Sequence, residues 1–276
     1  MESTMKNLAI SNIAWDSTED VAIGNLMGEI GIPGVEIAPT KIWPNPLEAS
    51  DAEIRDYRRF WEDRDIQIVA MQALLYGRPD LTIFQSADKR GKTLEYLGSI
   101  MRLGGMLGAN ALIFGSPTNR QVDNLSTDEI DDIAVSFFGL AGEMAQEHGV
   151  TLCIEPNPAQ YACDFIQTSA QGLELVRKVN SPGFGLHLDA AGMTLSQENL
   201  EQAVESCAGS IRHFHVSEPF LGPVGKQEVD HSTIASTLER IVYPNWISVE
   251  MRHDPQVDSV IELGRALEFL KETYGD

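Results

Sequence analysis

The stretch His213-Phe214-His215-Val216-Ser217-Glu218-Pro219 decides how the whole chain is interpreted. As a β-strand it places Ile211, His213, His215 and Ser217 on one face, and Arg212, Phe214 and Val216 on the other. Two imidazoles on one face of an otherwise apolar strand need polar partners, because burying an unpaired polar group costs on the order of several kcal/mol.

Three other predicted strands supply such partners. Residues 151–155, 185–189 and 246–250 each carry an acid at the last inward position, and the acids are Glu155, Asp189 and Glu250. The steps from Glu155 to Asp189, to His215 and to Glu250 are 34, 26 and 35 residues, which is about one strand–helix unit each. The pattern predicts that these side chains converge on one site.

Strand and helix signals alternate along the whole chain. Eight strands are predicted at residues 7–14, 34–38, 66–74, 110–115, 151–155, 183–189, 211–217 and 246–251. Helices are predicted at residues 18–29, 50–63, 86–107, 127–148, 169–179, 197–207, 230–241 and 256–271. Eight such units match a single (β/α)8 TIM barrel of the α/β class, and we expect residues 1–276 to form one domain. A doubly wound sheet usually carries a glycine-rich loop after its first strand, and residues 10–15 offer none.

The barrel predicts where the polar side chains meet. Active sites of this architecture lie at the carboxyl ends of the strands, where all four residues fall. The carboxyl ends of other strands hold further polar or aromatic side chains. His187 and His213 face inward one pleat below Asp189 and His215. The residues we expect to contact a small polar substrate are Glu36, His187, His213, Arg252, Trp15 and Gln72.

The four convergent residues have the chemistry of a metal site. Two glutamates, one aspartate and one histidine suit Mn²⁺, Mg²⁺, Co²⁺ or Zn²⁺. No cysteine stands at a ligand position, which disfavours a structural zinc. The alternative is a buried polar network without a metal.

Composition excludes several classes of function. Twenty basic residues against 41 acidic ones give a net charge of −21, which disfavours binding to nucleic acid. No apolar run approaches the roughly 18 residues of a membrane span. Three scattered cysteines do not form a disulfide framework, and residues 1–6 are too polar for a signal peptide. We therefore expect a cytoplasmic protein.

The motifs Ile154-Glu-Pro-Asn157, Leu186-His-Leu-Asp189, His213-Phe-His215-Val-Ser-Glu218 and Val249-Glu-Met-Arg252 carry a resemblance that covers nearly the whole chain. The chain resembles the xylose isomerase-like barrel superfamily, in particular its sugar phosphate isomerase/epimerase group. The resemblance implies one divalent cation bound by Glu155, Asp189, His215 and Glu250. It also implies that Glu155 and Glu250 transfer protons through a metal-stabilised enediolate of a sugar or sugar phosphate, and that the protein forms a homo-oligomer.

Three positions depart from the resembling ketose 3-epimerases. Those proteins carry a glutamate, a histidine and an arginine where this chain has Tyr161, Gly192 and Leu221. The departure weakens a 3-epimerase assignment without affecting the metal site. Three other functions stay open: a metal-dependent dehydratase acting on a keto-polyol, a metal-dependent endonuclease, and a sugar-binding protein without catalysis.

Overall fold

The computed structural model describes residues 7–226 and 228–275 of the chain. The polar segment 1–6, on which the expectation about a signal peptide rests, lies outside the described residues. Eight parallel strands form a closed barrel in the order β1 to β8, and β8 pairs with β1. The predicted (β/α)8 TIM barrel is confirmed.

The strands are short and almost wholly buried. Their bounds are β1 Leu8–Ser11, β2 Gly34–Ile37, β3 Gln67–Met71, β4 Ala111–Phe114, β5 Thr151–Ile154, β6 Phe184–Asp189, β7 Ile211–Ser217 and β8 Ile247–Glu250. The helices are α1 Asp20–Ile30, α2 Asp51–Glu62, α3 Ala87–Leu107, α4 Thr127–Glu147, α5 Ser169–Val179, α6 Ala190–Leu195, α7 Leu200–Cys207, α8 His231–Arg240 and α9 Ser259–Tyr274. Side-chain caps define several helix starts, and Ser50, Ser126 and Thr168 each form a reciprocal capping box with the third helical residue.

Two apolar clusters hold the barrel together. The larger one joins the outward-facing strand residues to the helices, for example Leu152 and Leu186 to Phe138 and Leu173. A separate, smaller cluster consists mainly of short side chains, namely Ala9, Val69, Ala70, Ala111, Ile113 and Cys153, with Trp246 packed against it. Short side chains suit the narrow interior of an eight-strand barrel.

The strict alternation predicted for β7 is wrong at its first two residues. Leu186 pairs with Ile211 and His187 pairs with His213, so Arg212 is an extra residue in a β-bulge. Ile211 therefore joins the outer core, and Arg212 lies against Gly185, where an added Cβ would stand 2.4 Å from the Arg212 Cγ. From His213 onward the predicted inward face is restored.

Several other predicted boundaries differ from the structure, and two of these differences bear on the site. β1 ends at Ser11 and not at residue 14, because the Ser11 side chain accepts a hydrogen bond from the Ile13 amide and starts a 3₁₀ turn. The helix predicted at 197–207 corresponds to α7, and it is preceded by a short helix, α6, that was not predicted. Asp189 caps α6 by accepting a hydrogen bond from the Gly192 amide at 2.6 Å.

Among the described residues, no helix combines the length and the hydrophobicity needed to cross a bilayer.

Candidate metal and sugar site

Four predicted ligands lie at the carboxyl ends of consecutive strands. Asp189 ends β6, Glu250 ends β8, and Glu155 follows the last residue of β5. His215 lies in β7 and pairs in register with Asp189. Because the strands are parallel, all four side chains belong to one mouth of the barrel.

Distances within the cluster are short enough for a shared ion. His215 Nδ1 lies 3.4 Å from a Glu250 carboxylate oxygen and 4.0 Å from one of Asp189. One ligand atom each from Asp189, His215 and Glu250 lie within 4.8 Å of one another, and Glu155, His187 and His215 form a second such group. His215 belongs to both groups, so it joins Glu155 to the other two acids.

Burial and neighbouring negative charge raise the pKa values of Glu155 and Asp189. Burial, followed by the charges of Glu250 and Asp189, raises the pKa of Glu155 to about 8. Burial and the Glu250 charge raise the pKa of Asp189 to about 6, although a hydrogen bond from Ser217 opposes the shift. A divalent cation among these carboxylates would relieve the repulsion, so their chemistry fits a metal.

His215 is oriented by a carboxylate on the far side of the barrel. Its Nε2 lies 2.9 Å from Oε2 of Glu36, which ends no strand but projects inward from β2 just after a shift in the β2–β3 register. Burial opposes charge on both groups, yet the pair holds the pKa of Glu36 well below its usual value, and Glu36 and Glu250 hold the pKa of His215 well above its own. The Nδ1 atom is buried, makes no hydrogen bond to the described residues, and faces Asp189 and Glu250. A histidine that ligates a metal through one nitrogen and meets a carboxylate through the other has this arrangement.

Three of the predicted substrate contacts lie beneath the site instead of on its surface. Glu36, His187 and His213 are buried to 1% exposure or less and do not line the cavity. Glu36 Oε2 also lies 3.2 Å from His213 Nε2, and His187 Nε2 lies 3.9 Å from Glu155. Burial lowers the pKa of both histidines. These residues support the floor of the site, which corrects the prediction that they touch substrate.

Trp15 also lies elsewhere than predicted. Its side chain is fully buried, its Nε1 donates to Asp20 at 2.7 Å, and its ring packs edge-on against Trp61. The prediction put Trp15 at a strand end, but the early end of β1 turns it into the core. Gln72 and Arg252, in contrast, line the cavity, so their contact with substrate stays a prediction.

A cavity of about 790 Å³ opens above the four ligands. Glu155, Asp189 and Glu250 line it, whereas His215 lies just below. Among the remaining lining residues, Ile113 and Ser217 lie in β4 and β7, and Ala191 lies in α6. The others come from the loops after the strands: Ile13, Ala38, Thr40, Lys41, Gln72, Ala73, Tyr76, Gly115, Ser116, Pro117, Asn157, Tyr161, Glu218, Phe220, Leu221 and Arg252.

Several functional neighbours were missed from the sequence. Arg120, in the 3₁₀ turn after β4, is fully buried, and its Nη2 donates to the Glu155 carbonyl oxygen at 2.7 Å. Gly115 leaves room for the Glu155 carboxylate, since an added Cβ would stand 2.0 Å from Glu155 Oε2. Lys41 lines the cavity, and its ammonium donates to the Trp15 carbonyl oxygen. No local pattern marks these three, because their partners are distant in sequence.

Comparison with known proteins agrees with this geometry. Residues 25–273 match the family described as the xylose isomerase-like TIM barrel. The chain belongs to this family. It is 26% identical over 190 residues to an L-ribulose 3-epimerase of Mesorhizobium japonicum, in an alignment that covers 67% of this chain and 63% of that protein. The chain thus matches slightly less than two thirds of that relative's length.

Solved structures share the fold over nearly the whole chain. D-psicose 3-epimerase, crystallised in the presence of D-fructose, superposes with a TM-score of 0.83 at 17% identity, covering 98% of this chain and 100% of that one. The IOLI protein with a bound zinc atom superposes with a TM-score of 0.76 at 18% identity, covering 97% and 98%. At these identities the likeness establishes the barrel alone.

Proposed function

We propose that this protein is a sugar epimerase of the isomerase class that depends on a divalent metal and acts by proton transfer at a carbon beside a carbonyl. The observation that supports the proposal is that Asp189, His215 and Glu250 offer ligand atoms within 4.8 Å of one another beneath one cavity, and that His215 forms a second such group with Glu155 and His187. The similarity to an L-ribulose 3-epimerase favours epimerisation over aldose–ketose isomerisation.

Glu155, Asp189, Glu250 and the free Nδ1 of His215 would hold the metal, and the oxygen-rich set suits Mn²⁺, Mg²⁺, Co²⁺ or Zn²⁺. When bound, a divalent cation supplies positive charge that stabilises the oxygen which becomes negative as the α-proton leaves. Glu36 would keep Nδ1 of His215 directed at the cluster by accepting a hydrogen bond from Nε2.

Glu155 and Glu250 are the proton carriers in this proposal. They follow β5 and β8, three strands apart in the ring, with Asp189 and His215 contributed by the strands between them. One carboxylate would remove the proton from one face of the reacting carbon, and the other would return a proton to the opposite face. Such a reaction needs electrostatic stabilisation, because a carboxylate near neutrality is a weak base towards a sugar C–H bond.

Charge disfavours the nuclease alternative. Among the described residues that line the cavity, only Lys41 and Arg252 are basic, against the acids Glu155, Asp189, Glu218 and Glu250. A surface of this sign does not attract a phosphate backbone. We therefore propose a small sugar or sugar phosphate as substrate. We also propose a cytoplasmic location, consistent with free cysteines at positions 153, 163 and 207.

Deuterium incorporation tests the proposal directly. The protein, stripped of metal and reloaded with Mn²⁺, is incubated in D₂O with a panel of ketoses and aldoses, and NMR locates the exchanged carbon. We expect exchange at one carbon together with the epimeric sugar, and loss of exchange in Glu155→Gln and Glu250→Gln. Glu198→Gln is the control, because Glu198 is a partly buried acid that caps α5 outside the cavity. A dehydrated product in place of an epimer, or exchange that survives both glutamine variants, would contradict the proposal.

A further inference from the structure

Two strongly exposed aromatic side chains face the same cavity. Tyr76, in the loop after β3, is 71% exposed, and Phe220, in the loop after β7, is 64% exposed. In a closed barrel of eight strands, β3 and β7 are four strands apart, so the two loops stand on opposite sides of the mouth. Large apolar side chains that remain open to solvent inside a polar-floored cavity indicate a ligand-binding surface.

The loop that carries Phe220 is held rigidly. The Phe220 amide donates to Tyr161 Oη at 2.9 Å, and the two rings meet edge-on with centroids 5.6 Å apart. The Arg252 amide donates to the Leu221 carbonyl oxygen at 3.0 Å, which ties this loop to the end of β8. Phe220 and Leu221 both have φ of +60°, a conformation that non-glycine residues adopt at a cost and that concentrates at functional sites.

The loop that carries Tyr76 has a similar conformation. Ala73 has φ of +54°, and its carbonyl oxygen accepts the Tyr76 amide at 3.0 Å in a tight turn. Ala73 and Tyr76 line the cavity together. Each aromatic side chain is thus presented by a defined backbone turn, and its exposure does not come from a frayed terminus.

The cavity has more room than a single small sugar needs. Its volume of about 790 Å³ lies towards the upper end of the roughly 300–1,000 Å³ of pockets that hold drug-sized ligands. The four ligand residues belong to β5–β8 and would fix the reacting end of the substrate near that side. The space that extends towards Tyr76, across the mouth, is left for a second part of the molecule.

Resting on the function proposed above, we infer that the substrate is a keto sugar that carries an aromatic ring as a substituent. The sugar lies on the acidic floor, and the aromatic substituent lies above it at the mouth of the cavity, where the loops that carry Tyr76 and Phe220 face each other. Aromatic rings gain from edge-on or offset contacts with one another in addition to the burial of apolar surface.

Binding of two simple glucosides tests this inference without turnover. Phenyl β-D-glucopyranoside and methyl β-D-glucopyranoside are titrated into the Mn²⁺-loaded protein by calorimetry, and saturation-transfer NMR identifies the protons in contact. We expect the phenyl glucoside to bind at least about tenfold more tightly, with the strongest transfer to its phenyl protons. Equal affinities, or no binding of the phenyl glucoside, would overturn the inference.

Alanine variants locate the contact. Tyr76→Ala and Phe220→Ala should each remove most of the preference for the phenyl compound and leave the affinity for the methyl compound unchanged. Val242→Ala is the control, because Val242 is 81% exposed but does not line the cavity. A preference that survives both cavity variants would also overturn the inference.

The outcome separates this inference from the proposed function. Deuterium exchange into simple ketoses without any phenyl preference would refute the aromatic subsite and leave the epimerase intact. A phenyl preference that depends on Tyr76 and Phe220, with no exchange into any sugar, would support the subsite and refute the epimerase.

Discussion

Glu36 is the residue whose role changes most between sequence and structure. The sequence predicted it at the mouth of the barrel in contact with substrate, because its depth in the barrel could not be inferred from the sequence. Depth depends on the shift in register between β2 and β3 and on the reach of the side chain to His213 and His215, which are 177 and 179 residues away. The shared location of the four candidate ligands was easier to predict, because Asp189 and Glu250 end their strands, Glu155 follows β5 directly, and His215 lies two residues before the end of β7.

Removing the Glu36 carboxylate should weaken metal binding. Glu36→Leu leaves His215 Nε2 without its partner, so we expect a fall in Mn²⁺ affinity of roughly 10–100-fold by calorimetry. Glu36→Gln should lose less, because its amide oxygen still accepts a hydrogen bond from Nε2. Glu198→Gln, outside the site, should bind Mn²⁺ like the unchanged protein, and a Glu36→Leu variant of unchanged affinity would rule out the positioning role.

Gly115 tests how closely the Glu155 carboxylate must be placed. In Gly115→Ala the new methyl group overlaps Glu155 Oε2, so the carboxylate must move. We expect the rate of deuterium exchange to fall on the order of 100-fold, since small displacements of reacting groups have effects of that size. Gly139→Ala is a matched control, because its Cβ would meet nothing within 4 Å. Equal rates in the two variants would contradict this account of Gly115.

At the scale of secondary-structure elements, the periodicity of apolar residues predicted the type and order of the strands and helices better than their local details. The strand–helix rhythm located every strand, because buried parallel strands are short apolar runs between turn residues. The bulge at Arg212 was not predicted because it depends on Gly185 in the neighbouring strand. The short helix α6 was not predicted because its first turn contacts β7, where the Ser217 hydroxyl accepts a hydrogen bond from the Ala191 amide. Arg212 fills the space that Gly185 leaves, and α6 starts where Asp189 serves as both a candidate ligand and a cap.

The contact between α8 and α9 should make stability depend on pH. His231, the first residue of α8, is buried, its Nδ1 lies 2.7 Å from the Oη of Tyr274 at the end of α9, and burial lowers its pKa to about 4. Because the unfolded chain binds a proton near pH 6.5 and the folded one does not, the contribution of His231 is present above pH 6.5. It is lost as the pH falls towards 4.

The loss attributable to His231 should approach about 3 kcal/mol of unfolding free energy. Urea unfolding at pH 7 and pH 4.5 measures it, and His231→Gln should show a smaller decrease than the unchanged protein. His148→Gln, at the end of α4, should behave like the unchanged protein. If His231→Gln loses as much stability on acidification as the unchanged protein, the assignment fails.

For the molecule as a whole, the metal should matter most at high pH. The raised pKa values of Asp189, about 6, and Glu155, about 8, mean that these two acids destabilise the metal-free fold as the pH rises and they ionise. Mn²⁺ competes with protons for the same oxygens. We therefore expect Mn²⁺ to raise the melting temperature more at pH 8 than at pH 5.

A stabilisation of about 2.7 kcal/mol is expected when the free ion exceeds its dissociation constant a hundredfold. Calorimetric melting after chelation, with and without added Mn²⁺, checks the result. Asp189→Asn should lose most of the difference between the two pH values. An equal rise in melting temperature with Mn²⁺ at pH 5 and at pH 8 would contradict the idea that protons and Mn²⁺ compete for the same oxygens.

Asp189 already has both carboxylate oxygens engaged by the folded chain, one with the Gly192 amide and the other with the Ser217 hydroxyl. The orientation of the Asp189 carboxylate is therefore set by the fold, and binding of an ion needs no rearrangement of this side chain. A carboxylate that is already fixed in place loses little conformational freedom when an ion binds, so the proposed metal would be held more tightly than by a freely rotating side chain.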